Sequence, residues 1–222
     1  MSSPFSNSTG SKSSWPPRLR SPPPPLPSRA VFVPARSAQS ELRERASRFK
    51  AFAIPVESIE TAEKKLTALK KEYFDASHIC YAWLVGVGKE EKARSSDAGE
   101  PKGTAGPPIL EAIRGASITN VLVAVVRYFG GTKLGTGGLS RAYRQAAVEA
   151  LALAGKKELL EEVRLSAPLP LADRLLNLAK KFGAKVKEKK FAGEMTATFL
   201  VPTSRCGAFL KEVGKIIGRT SG

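Results

Sequence analysis

The sequence predicts an α+β fold in two units. Its 222 residues are 42% hydrophobic and 25% charged, the mixture of a globular protein with a packed core. Strand-like and helix-like segments follow one another as strand, helix, strand, loop, helix, strand and helix across residues 41–157. Residues 162–222 then give strand, helix, strand, strand and helix. We therefore expect helices packed on one side of a mixed sheet in the first unit, and a smaller βαββα unit after it.

The first unit begins with two strands separated by a helix. Residues 47–56 alternate between apolar and polar side chains, as a strand does. Ser58 can cap a helix that extends to about Phe74, because apolar residues recur there at helical spacing. Residues 78–87 form a second strand-like run, and the polar stretch 89–103 predicts a long loop. Loops of that length within a compact unit are often functional.

The middle of the unit predicts a helix and a central strand. Thr104 is placed to cap a helix whose first turn holds Pro107 and Pro108, where their missing N–H groups have no intrahelical partner to lose. Gly115 closes that helix. Residues 119–129 form a continuous run rich in β-branched residues, which is typical of a strand covered on both faces or lying at the centre of a sheet.

The second unit has a strand at 163–169, a helix at 171–183, a hairpin over 185–202 with Gly193 near its turn, and a helix at 204–218. This is the element order of a ferredoxin-like fold without its final strand. Either that strand is absent or the strand count is wrong.

Residues 1–40 differ in composition from the rest of the chain. They are rich in Ser and Pro, contain the run 22-PPPP-25 and carry basic residues but no acidic one. Such a composition buries too little apolar surface to order itself, so we expect a disordered tail. A removable transit peptide and a polyproline-II ligand are alternatives, although the prolines oppose the amphipathic helix of a transit peptide.

Charge and cysteine content limit the partners and the compartment. The 36 Lys and Arg against 20 Asp and Glu give a charge of +16, which favours polyanionic partners such as nucleic acid or ribosomes. The apolar run 121–126 is far shorter than the ~20 residues needed to cross a bilayer, so we expect no membrane partner. Cys80 and Cys206 cannot build a disulfide framework, and His78 beside Cys80 supplies too few ligands for a metal. We expect a cytoplasmic protein without metal or cofactor.

The segment 127-RYFGGTKLGTGGLSRAYRQA-146 joins the central strand to a helix from about Leu139 to Ala154, ended by Gly155. Glycines permit positive φ and close approach of backbone N–H groups to a ligand, and the helix presents its positive end to an anion. Neither the P-loop pattern nor the dinucleotide-binding pattern is present, since Ser140 stands where the last glycine of the second pattern belongs. The segment therefore predicts either a phosphate or RNA-backbone site or only a tight connection between strand and helix. Its candidate residues are Arg127, Gly130, Gly131, Lys133, Gly135, Gly137, Gly138, Arg141 and Arg144.

The loop 97-DAGEPKGTAG-106 is the second candidate. Asp97 and Glu100 could act as acid and base or hold a hard cation. Two carboxylates alone are weak support for either role, so we expect them to cap backbone N–H groups or to pair with a basic residue, for example from the glycine-rich segment. Lys102, Gly103 and Thr104 complete this candidate set, and we assign no catalytic residue.

Both candidate segments resemble a known family. The blocks 78-HICYAW-83, 95-SSDAGEPKGTAGPPILEAI-113 and 119-TNVLVAVVRYFGGTKLGTGGLSRAY-143 are similar to the signature blocks of the YigZ/IMPACT family, over roughly residues 47–154. The second unit resembles the small C-terminal domain of the bacterial YigZ branch.

The resemblance implies a fold and a role. It implies a two-layer α/β first domain shared with a ribosomal-protein domain and having a left-handed crossover, followed by a ferredoxin-like domain. It also implies translational control, since the eukaryotic relatives restrain the amino-acid-starvation kinase by competing for its activator. Ala98 stands where the family often has a second acid, which opposes any mechanism based on adjacent carboxylates. Carried over by position, the shared surface comprises Asp97, Glu100, Lys102, Gly103, Thr104, Arg127, Lys133, Arg141 and Tyr143.

Three functions remain open. The leading hypothesis is a non-enzymatic regulator of translation that binds RNA, the ribosome or a translation-linked partner through the basic glycine-rich loop. The second is an enzyme acting on a small anionic substrate, with Lys133 and Arg141 binding the anion and Glu100 acting as the base. The third is a protein-interaction module of a stress-response pathway.

Overall fold

The computed structural model describes residues 30–218, which form ten strands and five α-helices. The strands are β1 (Phe32–Pro34), β2 (Ala38–Glu44), β3 (Ser47–Pro55), β4 (His78–Val85), β5 (Lys92–Ser96), β6 (Val121–Tyr128), β7 (Lys156–Glu158), β8 (Leu160–Pro168), β9 (Lys185–Ala192) and β10 (Glu194–Pro202). The helices are α1 (Ile59–Glu72), α2 (Gly106–Gly115), α3 (Gly135–Ala154), α4 (Ala172–Lys181) and α5 (Thr203–Gly218). The α+β class is confirmed. None of these helices is long and apolar enough to cross a membrane.

The first unit is built on a five-stranded sheet with the order β2-β3-β6-β4-β5, and every neighbouring pair is antiparallel. In the central strand β6, Val121, Val123 and Val125 contribute to the core that contains α2 and α3. Leu122 and Ala124 contribute to a second core with α1 on the opposite face. The prediction of helices on one side of a mixed sheet is therefore wrong. A central strand that is apolar on both faces needs a helix to cover each of them.

Two of the predicted helix ends are confirmed in detail. Ser58 caps α1, because its Oγ accepts the Thr61 N–H at 3.2 Å. Gly155 ends α3 with φ at +61°, a conformation that glycine adopts readily. Helix α3 begins at Gly135, four residues earlier than expected, so several of the glycines form its first turn.

Two segments were mispredicted because their strands are short or polar. The supposed loop 89–103 contains β5, an exposed edge strand of sequence KARSS that lacks apolar alternation. The supposed tail 1–40 includes β1 and the first three residues of β2, and these strands pair with β7 and β3 respectively. The tail boundary at residue 40 is thus wrong. Residues 1–29 lie outside the described part of the chain, and their predicted disorder, removal or polyproline-II role stays a prediction.

The second unit is a three-stranded antiparallel sheet with the order β8-β10-β9, and its own apolar core includes residues of α4 and α5. The predicted βαββα order is confirmed, with Gly193 in the β9–β10 turn at φ +78°. Within residues 30–218, no strand follows α5. The described chain therefore has the ferredoxin-like order without its final strand.

Candidate functional site

The two candidate segments meet at one end of the five-stranded sheet. Strand β6 ends there at Tyr128 and leads into the glycine-rich segment, while β4 begins there at His78, whose register partner is Arg127. Strand β3 begins at the same end with Ser47, and the loop after β5 returns to it with Glu100. Antiparallel pairing thus brings together residues that lie more than 50 positions apart in the sequence.

A buried ion pair joins the two segments. The Arg127 Nη1 donates to Glu100 Oε1 at 2.6 Å, and the two side chains are only 6% and 3% exposed. The same carboxylate oxygen accepts the Tyr143 hydroxyl at 2.8 Å, and Arg127 Nη2 donates to Ser47 Oγ at 3.2 Å. This confirms the expectation that an acid of the second loop pairs with a base of the first segment. Arg127 itself is not on the surface, so its proposed role in contacting an anion is wrong.

Asp97 organises the second loop around the start of α2. Its carboxylate accepts the N–H groups of Gly103, Ala105 and Gly106 at 2.8–2.9 Å. Desolvation raises its pKa, but the three N–H donors together outweigh that effect and hold the pKa below its ordinary value. The expected N–H capping by this acid is confirmed. The predicted cap by Thr104 is wrong, because its hydroxyl donates to the Pro101 carbonyl at 2.7 Å while Asp97 satisfies the helix start.

His78 and Cys80 hold the same loop from the neighbouring strand. The Cys80 Sγ donates to the Asp97 carbonyl at 2.9 Å, and His78 Nδ1 lies 3.0 Å from the Ala98 carbonyl. Burial is the main reason why the pKa of Cys80 rises to about 12, and burial also raises the pKa of Tyr143 far above its ordinary value. Both groups therefore stay protonated at neutral pH. In the described part of the chain, no three His, Cys, Asp or Glu residues lie together as a metal centre would need.

The glycines of the first segment serve different purposes. A Cβ on Gly130 would collide with the Ala46 carbonyl in the β2–β3 turn, so this position needs glycine for close packing. Gly135 begins α3 with φ at +71°, where other residues are strained. Neither close packing nor a positive φ requires glycine at position 137. A Cβ built there would meet only the Arg141 guanidinium, at 3.5 Å. Among residues 30–218 no side chain caps the start of α3, so the N–H groups of its first turn are left without a capping partner there.

The predicted cations separate into two places. Lys133 and Arg141 are exposed, and Arg141 folds back over the first turn of α3. Arg144 instead lines a cavity of about 490 Å³ between α2 and α3, together with Val148 and Leu151. Its assignment to the glycine-rich loop is therefore wrong. The other residues that line this cavity come mainly from α2 and from the C-terminal half of α3, away from the glycine-rich segment.

Arg45 is a further exposed cation at this end of the sheet, and it was not among the candidate residues. It lies in the β2–β3 turn, and its Nη1 donates to the Lys133 carbonyl at 3.2 Å. The stretch 43-RERASR-48 shows the charge, but the pairing of β2 with β3 is what places it beside the glycine-rich segment. We call the exposed cations at this end of the sheet the basic rim. It consists of Arg45, Lys102, Lys133 and Arg141.

A family model for the Impact N-terminal domain matches residues 45–151, the range that contains the buried ion pair and both candidate segments. A solved structure described only as that of a hypothetical protein aligns with a TM-score of 0.57 and 27% identity, covering 84% of this chain and 92% of that one. The structure of the two-domain translational regulator Yih1 aligns over 63% of this chain and 54% of that one, with 27% identity and a TM-score of 0.35 that is too low to support an inference.

Curated relatives agree with the family model. An IMPACT family member from Thermus thermophilus is 40% identical over 173 residues, which is 77% of this chain and 93% of the relative. The IMPACT family member YvyE of Bacillus subtilis is 29% identical over 182 residues, covering 81% of this chain and 83% of the relative. The Escherichia coli member YigZ is 36% identical over 121 residues, covering 54% and 59%. The chain therefore belongs to the IMPACT family.

Proposed function

We propose that this protein acts in translational control without catalysing a reaction, by binding RNA, free or within the ribosome, at the basic rim. The translation part of the proposal rests on family membership and on the role that the family resemblance implies. The RNA part rests on the charge and geometry of the surface itself.

One observation carries the RNA part: the cations of the basic rim have no acidic partners among the described residues. Within residues 30–218, none of these four side chains forms an ion pair with a carboxylate. Lys133 precedes the first turn of α3, Arg45 donates to the Lys133 carbonyl, and the Arg141 guanidinium lies near Gly137 in that turn. The N–H groups and the dipole of the turn favour an anion. Cations left unpaired beside such amides attract phosphate groups, and the chain's charge of +16 adds a long-range attraction.

The geometry opposes the enzymatic alternative. Glu100, the base in that hypothesis, already accepts hydrogen bonds from Arg127 and Tyr143 at one oxygen and is almost completely buried. A general base must be within reach of the proton that it removes from a substrate. The ion pair instead fixes the position of the second loop relative to the glycine-rich segment, which is a structural role.

The proposal is tested by the salt dependence of RNA binding. Fluorescence anisotropy with a labelled single-stranded RNA, measured over a series of salt concentrations, gives the slope of log K against log salt. Each phosphate contact on a single strand contributes about 0.7 to that slope. The double variant Lys133→Ala/Arg141→Ala should bind more weakly and should lower the magnitude of the slope by about 1.4, because two contacts are lost.

A control variant with the same change in charge separates a local site from general attraction. Lys65 and Lys71 are exposed on α1, which covers the opposite face of the sheet. The variant Lys65→Ala/Lys71→Ala should leave the salt slope almost unchanged. Equal losses in the two double variants, or no RNA binding by the unmodified chain at low salt, would reject the basic rim as an RNA site.

A further inference from the structure

An exposed aromatic ring stands beside the basic rim. Phe129 follows β6 directly, precedes Gly130 and is 47% exposed. Among the aromatic residues of this unit, Phe49, Tyr81, Trp83 and Tyr143 are each at most 5% exposed, whereas Phe129 and, at 85%, Phe74 are exposed. Phe129 is thus a large apolar ring that is half exposed to water in the same segment as Lys133.

Contacts on one side hold Phe129 in place. Its N–H donates to Ser77 Oγ at 3.0 Å, and the Arg127 Cζ lies 5.4 Å from the centre of its ring. The same Cζ lies 5.5 Å from the ring of buried Phe49, and the guanidinium is fixed by its ion pair with Glu100. Phe129 is therefore attached to the buried network at one side and open to solvent at another. A ring that is already positioned loses little conformational entropy when a ligand stacks on it.

We infer that Phe129 is a stacking platform for an unpaired base, so that the ligand of the basic rim is single-stranded RNA. This inference rests on the proposed RNA-binding function and specifies its substrate class. Base stacking on aromatic rings is how proteins bind single strands, with a basic groove contacting the backbone. Phe129 lies four residues before Lys133, next to the glycines whose backbone is exposed. A base on this ring would place its phosphates near the basic rim.

The same arrangement disfavours a duplex. In an RNA double helix the bases are stacked on one another, and recognition depends on phosphates and 2′-hydroxyl groups. The Phe129 ring cannot stack on a base that is already stacked within a duplex, so it adds no affinity for a duplex. Phosphate contacts at the basic rim would bind single-stranded and double-stranded RNA alike. The expected preference for single strands therefore comes from stacking on Phe129.

Variants at Phe129 in the full chain test the inference. Binding of an oligouridine about 12 nucleotides long, within the range of site sizes that single-strand binding domains cover, is compared with binding of a duplex of equal length. Phe129→Ala and Phe129→Leu should each weaken oligouridine binding by roughly 5- to 100-fold, and Phe129→Trp should preserve it. Duplex binding should change by less than about twofold, which is below 0.5 kcal/mol and too small for a lost stacked base.

A matched control lies in the second unit. Phe191 in β9 is 54% exposed, and the Lys189 Nζ lies 5.9 Å from its ring centre, so it is also an exposed ring beside a cation. Phe191→Ala should bind oligouridine like the unmodified chain. The stacking role is overturned if Phe129→Leu binds oligouridine normally, or if Phe191→Ala loses as much affinity as Phe129→Ala.

The outcomes for the two proposals are separate. Normal oligouridine binding by Phe129→Leu, combined with a weakened Lys133→Ala/Arg141→Ala variant, would reject stacking and keep the phosphate site. Absence of any RNA binding by the unmodified chain would reject the proposed function, and the stacking platform with it.

Discussion

Replacing Glu100 with Gln removes the negative charge of the buried ion pair with almost no change of shape. The Arg127 guanidinium would then be left with a neutral partner while it stays 6% exposed. Burying a charge without a compensating charge is costly, and removing one partner of a buried pair destabilises a protein by about 3–5 kcal/mol. Since the amide oxygen of Gln can still accept a hydrogen bond, we expect Glu100→Gln to cost about 3 kcal/mol, the lower end of that range.

Urea unfolding measures this cost. Trp83 in β4 is 5% exposed in the first unit, so its fluorescence follows the unfolding of the unit that contains the pair. The control is Glu91→Gln, because Glu91 pairs with Arg114 at 3.5 Å on the surface, with side chains 40% and 59% exposed. Exposed pairs contribute at most about 1 kcal/mol, so this variant should be nearly neutral.

A double-mutant cycle makes the test sharper. Arg127→Met alone leaves Glu100 as an uncompensated buried charge, whereas the combination with Glu100→Gln removes both charges. The double variant should therefore be less destabilised than the sum of the two single variants, by about 1 kcal/mol or more. A loss of less than about 1 kcal/mol in unfolding free energy for Glu100→Gln, or additive effects of the two single variants, would refute the view that this ion pair holds the second loop against the glycine-rich segment.

Three further predictions follow from the same site. Gly130→Ala should destabilise the first unit by about 1–3 kcal/mol in urea unfolding, because the added methyl group meets the Ala46 carbonyl, and an unchanged midpoint would contradict that packing. Asp97 has a lowered pKa, so its stabilising effect is complete above the unfolded value of about 4 and is lost as pH falls through the lower folded value. Asp97→Asn should therefore flatten the loss of stability with acid, measured as the unfolding midpoint against pH, and an identical pH profile would argue against the role. The pKa values of Cys80 and Cys206 rise to about 12 and about 11 with burial, so neither thiol should react with Ellman's reagent at pH 8 until the chain is unfolded, and rapid labelling of the native protein would contradict the described burial.

The sequence revealed the elements that carry strong local signals. Ser58 predicted the start of α1 because an N-cap hydroxyl acts within one turn, and residues 119–129 predicted a strand covered on both faces or at the centre of a sheet. Because both faces of this strand are apolar, the sequence already indicated that both faces of the sheet are covered, yet helices were expected on one side only. Strands β1, β2, β5 and β7 were missed because each is short or mostly polar and is defined by its pairing with another strand rather than by its own pattern.

The candidate site was predictable in its chemistry but not in its geometry. The expectation that Asp97 caps N–H groups and Glu100 pairs with a base was confirmed, because two carboxylates beside glycines and cations have few other uses. Which base would pair could not be read from the sequence, since Arg127 was taken for a surface cation. Its burial depends on Tyr143, a residue of α3 that reaches the same carboxylate. The position of Arg144 at the cavity between α2 and α3 was also hidden, because it depends on how the two helices pack.

Hydrogen exchange of the full chain, with and without oligouridine, is the most direct test of the RNA-binding surface. We predict slower exchange in residues 99–103 and 129–141, where the second loop, Phe129 and the first turns of α3 lie, and no change in α1. Protection confined to β8–β10, or exchange that does not change anywhere, would contradict the assignment of the ligand to the basic rim.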